Sequence, residues 1–196
     1  MPIVTPRLSL RPAMPGDGAA VHEAVCETQV QLLRWMRWAR EGGGSAAKVE
    51  ADMREAYARF ILRQDLMLIG FERDGGRAVV FTGLHRPDWE VRRFEIGYWV
   101  RSSAQGQSYA TEAANALARY AFAVLDARRV EIEHADGNAA SRAVAQKLGF
   151  SHEGTRRLRH ALPDGSVVDN HHYVMLSPDP LPPLDVRWGE ASASST

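Results

Sequence analysis

The chain has 196 residues, of which 45% are hydrophobic and 24% charged, and Lys plus Arg balance Asp plus Glu at 24 each. That composition describes one ordinary globular core, and a net charge of zero supplies no overall field to draw in nucleic acid, an anionic membrane or acidic substrates. The single cysteine, Cys26, excludes an internal disulfide and multi-cysteine zinc sites, while the absence of any ~18-residue apolar run or signal-peptide pattern leads to the expectation of a cytoplasmic protein.

Residues 7–11, RLSLR, alternate apolar and polar after Pro6 and predict a first strand, which Pro12, Pro15 and Gly16 end. Asp17 is the expected N-cap of the first helix. From Gly18 to Arg40 the apolar residues recur at helical spacing, predicting two helices with a bend near Thr28. After Glu41-Gly-Gly-Gly, Ser45 opens a third helix to about Arg63, with Val49, Met53, Ala56, Tyr57, Phe60 and Ile61 as its apolar stripe. Apolar runs at Leu66 to Phe71, Ala78 to Leu84 and Phe94 to Val100, separated by Asp74-Gly-Gly and Pro87-Asp88, read as consecutive antiparallel strands.

Tyr109 to Leu125 is then an alanine-rich helix, and Val130 with Ile132 marks the apolar side of another strand. Asn138 caps a helix that ends at Lys147-Leu-Gly-Phe150, where Gly149 suits a left-handed C-terminal position. Gly154 to Leu162 and His171 to Leu176 flank the turn Pro163-Asp164-Gly165 as a last hairpin. One domain is expected over 1–177. Residues 178–196, proline-rich and then Ala/Ser-rich, form a tail expected to dock at Trp188 or stay disordered.

The segment 104–112, AQGQSYATE, carries little bulk between a strand and a helix start. A helix N-terminus presents unpaired N–H groups and the positive end of its dipole, and small residues such as Gly106, Ser108 and Ala110 let backbone approach a phosphate. No Walker-type sequence accompanies it. Alone, the segment is equally a plain turn.

The order GYWV, then Gln105-Gly-Gln-Ser-Tyr-Ala-Thr-Glu-Ala, a helix, a strand, Asn138-Ala-Ala-Ser141 and Lys147-Leu-Gly-Phe150 resembles the GNAT superfamily of acyl-CoA-dependent N-acyltransferases. The N-terminal Thr5-Pro-Arg-Leu-Ser-Leu-Arg-Pro12 is similar to the RimJ/RimL branch, and the resemblance spans about residues 3–177. It implies an α/β fold: a mixed, mainly antiparallel central sheet with helices on both faces, splayed at the acyl-CoA site. It also implies acetyl-CoA as cosubstrate, without a metal. Tyr98, Trp99, Val100, Gln105, Gly106, Gln107, Ser108, Tyr109, Ala110 and Thr111 are the implied cofactor contacts, together with Asn138, Ser141 and Lys147.

In that family the pyrophosphate loop follows Gln/Arg-x-x-Gly-x-Gly/Ala, and Ser108 departs from it at a glycine position. If positive φ is needed there, a serine costs on the order of 1 kcal/mol while keeping its N–H and adding a hydroxyl. The position of the tyrosine acid that many members carry is Ala145 here, whereas the serine of the RimJ/RimL branch is present as Ser141.

Acyl transfer to an amine needs an ammonium deprotonated, a carbonyl polarised and a thiolate protonated. Glu95, on a strand face with Gly97 and Trp99, is the candidate base; its bland alternative is a rim salt bridge with Arg92 or Arg93. Backbone N–H groups from Tyr98 to Arg101 are candidates for the oxyanion, and Ser141 for the thiolate proton. Ser141 is equally a first-turn polar residue, and Asn138 is first a cap. Trp35 and Trp38 fall on the helical pair that covers the acceptor site in this family, although aromatics at helical spacing also suit a core, where at least one is expected.

The adjacent His171 and His172 do not have metal-ligand spacing, and the basic run Arg156, Arg157, Arg159, His160 reads as a solvated face. The expected activity is direct N-acetyl transfer to a primary amine, on a protein N-terminus or a small molecule. No membrane or nucleic-acid partner is expected, and a homodimer is a family-level implication. A CoA-binding protein without catalysis and a transferase using another acyl donor are the alternatives.

Overall fold

Nine strands, among the described residues, form one sheet, the longer of them carrying the period-two patterning of the sequence. The computed structural model describes residues 2–41 and 43–189. The strands are β1 (Ile3–Val4), β2 (Leu8–Pro12), β3 (Leu66–Glu72), β4 (Ala78–Asp88), β5 (Arg93–Val100), β6 (Arg129–Ala135), β7 (Ser151–Ala161), β8 (Val167–Met175) and β9 (Arg187–Trp188). Their order is β7-β8-β6-β5-β4-β3-β2-β1-β9. Every neighbouring pair is antiparallel except β5 with β6, which are parallel.

Helices α1 (Gly18–Leu32) and α2 (Ala46–Ile61) pack on one face through Val21, Val25, Leu32, Val49 and Met53 against Ile69 and Phe81. Helices α3 (Tyr109–Val124) and α4 (Ala139–Lys147) cover the other. In α3, Ala113, Ala114, Ala116, Leu117, Ala118 and Ala121 are fully buried, so the scarcity of bulk that marks its sequence lets the helix lie close on β4 and β5.

The parallel pairing of β5 with β6 extends only over Arg93↔Arg129, Phe94↔Val130 and Glu95↔Glu131. Beyond Glu95, β5 stays paired with β4 as far as Val100 while β6 continues along β8. The sheet therefore opens between β5 and β6 at its centre, and α3 starts just beside the opening.

Two local expectations change. The bend near Thr28 is absent: α1 runs unbroken to Leu32, and the path breaks in the turns at 33–36 before a 3-10 turn at Arg37–Glu41. Thr28 is buried and accepts the Ser102 N–H at 3.0 Å, so it anchors a neighbouring loop rather than interrupting its own helix. Asp17 stands before α1 but makes no capping bond, because its carboxylate pairs with Arg11 and accepts the Met14 N–H, each at 2.7 Å. Glu50 of α2 takes the Gly16 and Gly18 N–H groups at 3.0 and 3.1 Å instead.

Ser45 and Asn138 cap α2 and α4 as predicted, accepting the N–H groups of Lys48 and Ser141. Gly149 has φ +81°, the left-handed conformation expected after α4. Of the tail, residues 178–189 run back along α3: Leu181 is buried, Asn115 and Arg119 each donate to the Pro182 carbonyl at 2.9 Å, and β9 pairs with β1. Trp188 packs edge-on against Tyr120, and 190–196 lie outside the described residues. No described helix is long and apolar enough to cross a membrane.

Candidate active site

The opening between β5 and β6 forms the floor of a cleft of about 1360 Å³ that runs from α1 and the 33–41 segment to the starts of α3 and α4. A single drug-sized ligand fills about 300–1,000 Å³, so two reactants can meet here. Trp35, Trp38, Glu95, Tyr98, Trp99, Val100, Gln105, Gly106, Ser108, Tyr109, Ala110, Thr111, Asn138, Ser141 and Lys147 all line it. Among the residues proposed from sequence, Gln107 alone does not: its amide donates to the Ser103 carbonyl at 3.4 Å and its own carbonyl accepts from Arg7 at 2.8 Å.

The loop before α3 has the form an anion needs. Gly106 has φ +75° with no atom within 4 Å of where a Cβ would stand, and Ser108 has φ +64°. Ser108 therefore sits in the left-handed region that favours glycine, and its hydroxyl makes no capping bond to the helix. The first intrahelical bond runs from Glu112 N–H to Ser108 C=O at 3.0 Å, which leaves the N–H groups of Tyr109, Ala110 and Thr111 without helical acceptors. With the helix dipole behind them, these groups fit a diphosphate. Glu112 does not oppose the anion, because Thr5 and the Arg7 side chain hold its carboxylate at 2.6 Å on the far side of the helix start.

Alternation along β5 sends Glu95, Gly97 and Trp99 to the α1/α2 face and Phe94, Ile96 and Tyr98 to the α3/α4 face. Tyr98 reaches the start of α4, its hydroxyl 3.0 Å from Ser141 Oγ and 3.2 Å from the Ser141 carbonyl, where Asn138 Oδ1 accepts the Ser141 N–H at 3.1 Å. Burial pushes the Tyr98 phenol up to about 12, so it stays protonated. The Val100 carbonyl accepts from the Gln105 amide at 3.1 Å, which joins the end of β5 to the anion loop.

Glu95 is only 8% exposed and opens on the cleft. Its expected salt-bridge alternatives do not occur, because Arg93 pairs with Glu131 and Arg92 donates to the Leu125 carbonyl. Arg86 holds it instead, with Nε donating to Oε2 at 3.0 Å and Nη2 to Oε1 at 2.7 Å. A bulge between His85 and Asp88, with Arg86 at φ +46°, turns this arginine onto the face of β4 from which plain alternation would exclude it. Glu131 and Glu133 stand within 4.8 Å of Glu95. Burial raises Glu95 to about 7, with Arg86 pulling against burial and the two neighbouring carboxylates adding to it.

The two tryptophans are not core. Trp38 is 48% exposed and packs at 6.1 Å against Trp99, which stacks on Phe81 at 3.9 Å. Trp35 is half-buried and approaches Gly137 across the cleft. Both stand beyond the last turn of α1, so neither shares the stripe that helix buries. Arg40, from the same segment, donates to the Pro163 carbonyl at the β7–β8 turn.

Sequence reasoning missed Arg86, Glu133, Asn170 and His85, which also line the cleft. Arg86 depends on a bulge and Asn170 on the register of β8 with β6. For His85 a signal was available in Gly83 and Gly97, which face one another across β4 and β5.

A mixed sheet opened between a parallel pair, with an anion cradle and a buried carboxylate on the same cleft, suits a transferase of a phosphate-bearing cosubstrate. A model of the GNAT acetyltransferase domain matches residues 7–151. YdaF of Bacillus subtilis (strain 168), named provisionally as a ribosomal N-acetyltransferase, is 32% identical over 178 residues, covering 88% of this chain and 90% of its own. RimL, a ribosomal L7/L12 α-N-protein acetyltransferase solved with coenzyme A, superposes with a TM-score of 0.81 at 24% identity over 89% of this chain and 97% of its own. The microcin C7 self-immunity acetyltransferase MccE, solved with acetyl-CoA and AMP, gives 0.80 at 17% identity over 88% and 93%. The chain belongs to the GNAT acetyltransferase family and is an acyltransferase of that type.

Proposed function

We propose that the protein moves an acetyl group from acetyl-CoA to a primary amine by direct attack, with a protein N-terminus as the favoured acceptor. The observation that carries this is the placement of a buried, cleft-facing Glu95 at the point where β5 leaves β6, beside the free N–H groups of Tyr109, Ala110 and Thr111. Acetyl-CoA, when bound, supplies the activated acyl group. The α3 N-terminus holds the diphosphate, with Gly106 and Ser108 giving the backbone its approach and Lys147 adding a positive charge.

Past the splay, the β5 edge from Ile96 to Val100 has no partner strand on the β6 side, and its N–H groups are the candidates for the carbonyl oxygen as charge builds on it. The Glu95 carboxylate, facing the cleft, draws the acceptor ammonium in for deprotonation. The Ser141 hydroxyl, backed by the protonated Tyr98, supplies the thiolate's proton. Trp35, Trp38 and Trp99 form the aromatic side of the acceptor pocket.

The similarity to YdaF supports a ribosomal protein as the source of the amine, and such an acceptor places the reaction in the cytoplasm, where the exposed Cys26 thiol stays reduced. The left-handed Ser108 keeps the loop in the conformation that a phosphate site needs, and the cleft-facing Glu95 favours an enzyme over a non-catalytic CoA binder. Thiol release from acetyl-CoA across alanyl and seryl peptides, aminoglycosides and polyamines tests the reading. Release with a peptide and not with the small amines is expected; tight CoA binding with no release for any amine would sink it.

A further inference from the structure

His85 lies on the cleft side of β4, directly opposite Glu95 on β5, and its imidazole has an unusual seat. The ring lies across the facing pair Gly83 and Gly97: a Cβ at Gly83 would stand 2.8 Å from Cε1, and one at Gly97 would stand 2.9 Å from Cδ2. Any other residue at either position would push the ring out of place. Nδ1 is 2.9 Å from the carboxylate of Asp65, just before β3, so Asp65 fixes the tautomer with the proton on Nδ1. That leaves Nε2 as a lone-pair acceptor, with no hydrogen-bond partner among the described residues.

Both oxygens of Glu95, by contrast, are already taken by the two-point grip of Arg86. Of the charged groups around the ring, Asp65 pairs with its Nδ1, and Glu95 stands opposite across β4 and β5, held by Arg86.

We propose that His85, oriented by Asp65, is a catalytic residue that removes the proton from the acceptor ammonium at Nε2, with Glu95 as the counter-charge that holds the ammonium against it. This rests on the reading of the cleft as an amine site. The ammonium gives one proton to Nε2 and becomes a neutral amine, and the imidazole becomes imidazolium between Asp65 and Glu95. The amine's lone pair then forms the N–C bond as the C–S bond breaks. The second N–H proton balances the one taken up by the leaving sulfur, and the imidazolium returns its proton to solvent. Two carboxylates and one imidazole thus share a task that a lone buried carboxylate, gripped by an arginine, would do at the cost of leaving its partner.

The test uses the full chain, acetyl-CoA and two peptide acceptors, one with an ordinary N-terminal amine and one with a weakly basic aminooxy group that is neutral at neutral pH. His85→Ala and His85→Gln should lose about 100-fold in kcat with the amine peptide. Their acetyl-CoA affinity should stay within about twofold of the parent, which shows that the variants fold. Added imidazole should restore His85→Ala, whereas N-methylpyrrole, similar in size but without a basic nitrogen, should not. The aminooxy peptide should narrow the gap between variant and parent, and Asp65→Asn should show the same pattern with a smaller loss. Unchanged kcat in both His85 variants overturns the proposal, and so does a loss that neither imidazole nor the aminooxy acceptor relieves, since that marks a structural role. A parent protein that acetylates no amine at all overturns the amine-site reading and this assignment with it.

Discussion

Ser108 holds a backbone conformation that an L-residue adopts at a cost of about 1 kcal/mol, and it does so where a phosphate would need the chain to turn. Ser108→Gly relieves that cost without altering the N–H groups, so the acetyl-CoA Kd should stay within about twofold or tighten, as read by calorimetry. A loss beyond about tenfold would make the hydroxyl itself a phosphate ligand. Glu95 offers a second test through pH. Its folded pKa of about 7 lies above the ordinary 4.5, so ionisation works against the folded state. The penalty is absent below about 4.5, grows as pH rises toward about 7, and is full above it. Glu95→Gln should therefore be more stable than the parent at about pH 8 and indistinguishable at about pH 4, in urea titrations at each pH. That Glu95, Ser141 and Asn138 line one cleft could be anticipated, Glu95 from strand alternation and the other two from the resemblance of their motif. Arg86 was not, because its reach to Glu95 depends on a bulge, and His85 depends on which residues β4 and β5 set opposite each other.

At the scale of elements, the anion loop is held from both ends. On one side Arg101, only 4% exposed, pairs with Glu23 and Glu27 of α1, and Glu27 also takes the Ser103 N–H at 2.7 Å. On the other, Glu112 of α3 ties to Thr5 and to the backbone and guanidinium of Arg7, while Arg7 grips the Gln107 carbonyl. Glu112→Ala leaves the buried Thr5 hydroxyl and the half-exposed Arg7 guanidinium unmatched and should cost about 2 kcal/mol in urea unfolding, with weaker acetyl-CoA binding from the loosened loop. A loss under about 1 kcal/mol would mean that the network is solvated and incidental. The long, strongly patterned helices and strands could be read from periodicity. The two-residue strands β1 and β9 could not, since no pattern exists at that length, and the break after α1 was misplaced near Thr28, which serves the neighbouring loop without interrupting its helix.

Over the whole molecule, the sheet runs from the β7–β8 hairpin to an edge formed by the segment near the C-terminus. Gly149 accepts Pro180 against it so closely that a Cβ there would stand 2.7 Å from the proline ring, and the buried Leu181 completes the α3 side of the core. Removing residues 178–196 should lower the Tm by several degrees and leave β1 as a bare edge prone to association, measured by thermal unfolding and size-exclusion chromatography. An unchanged Tm would mean that this segment only rests on the surface. Direct transfer itself is tested by tracing a labelled acetyl group. With isotopically labelled acetyl-CoA and an alanyl or seryl peptide, mass spectrometry should find the label on the peptide's N-terminal nitrogen, in amount equal to the CoA released. Label on the protein itself, or CoA release with no labelled peptide, would contradict direct transfer to an amine.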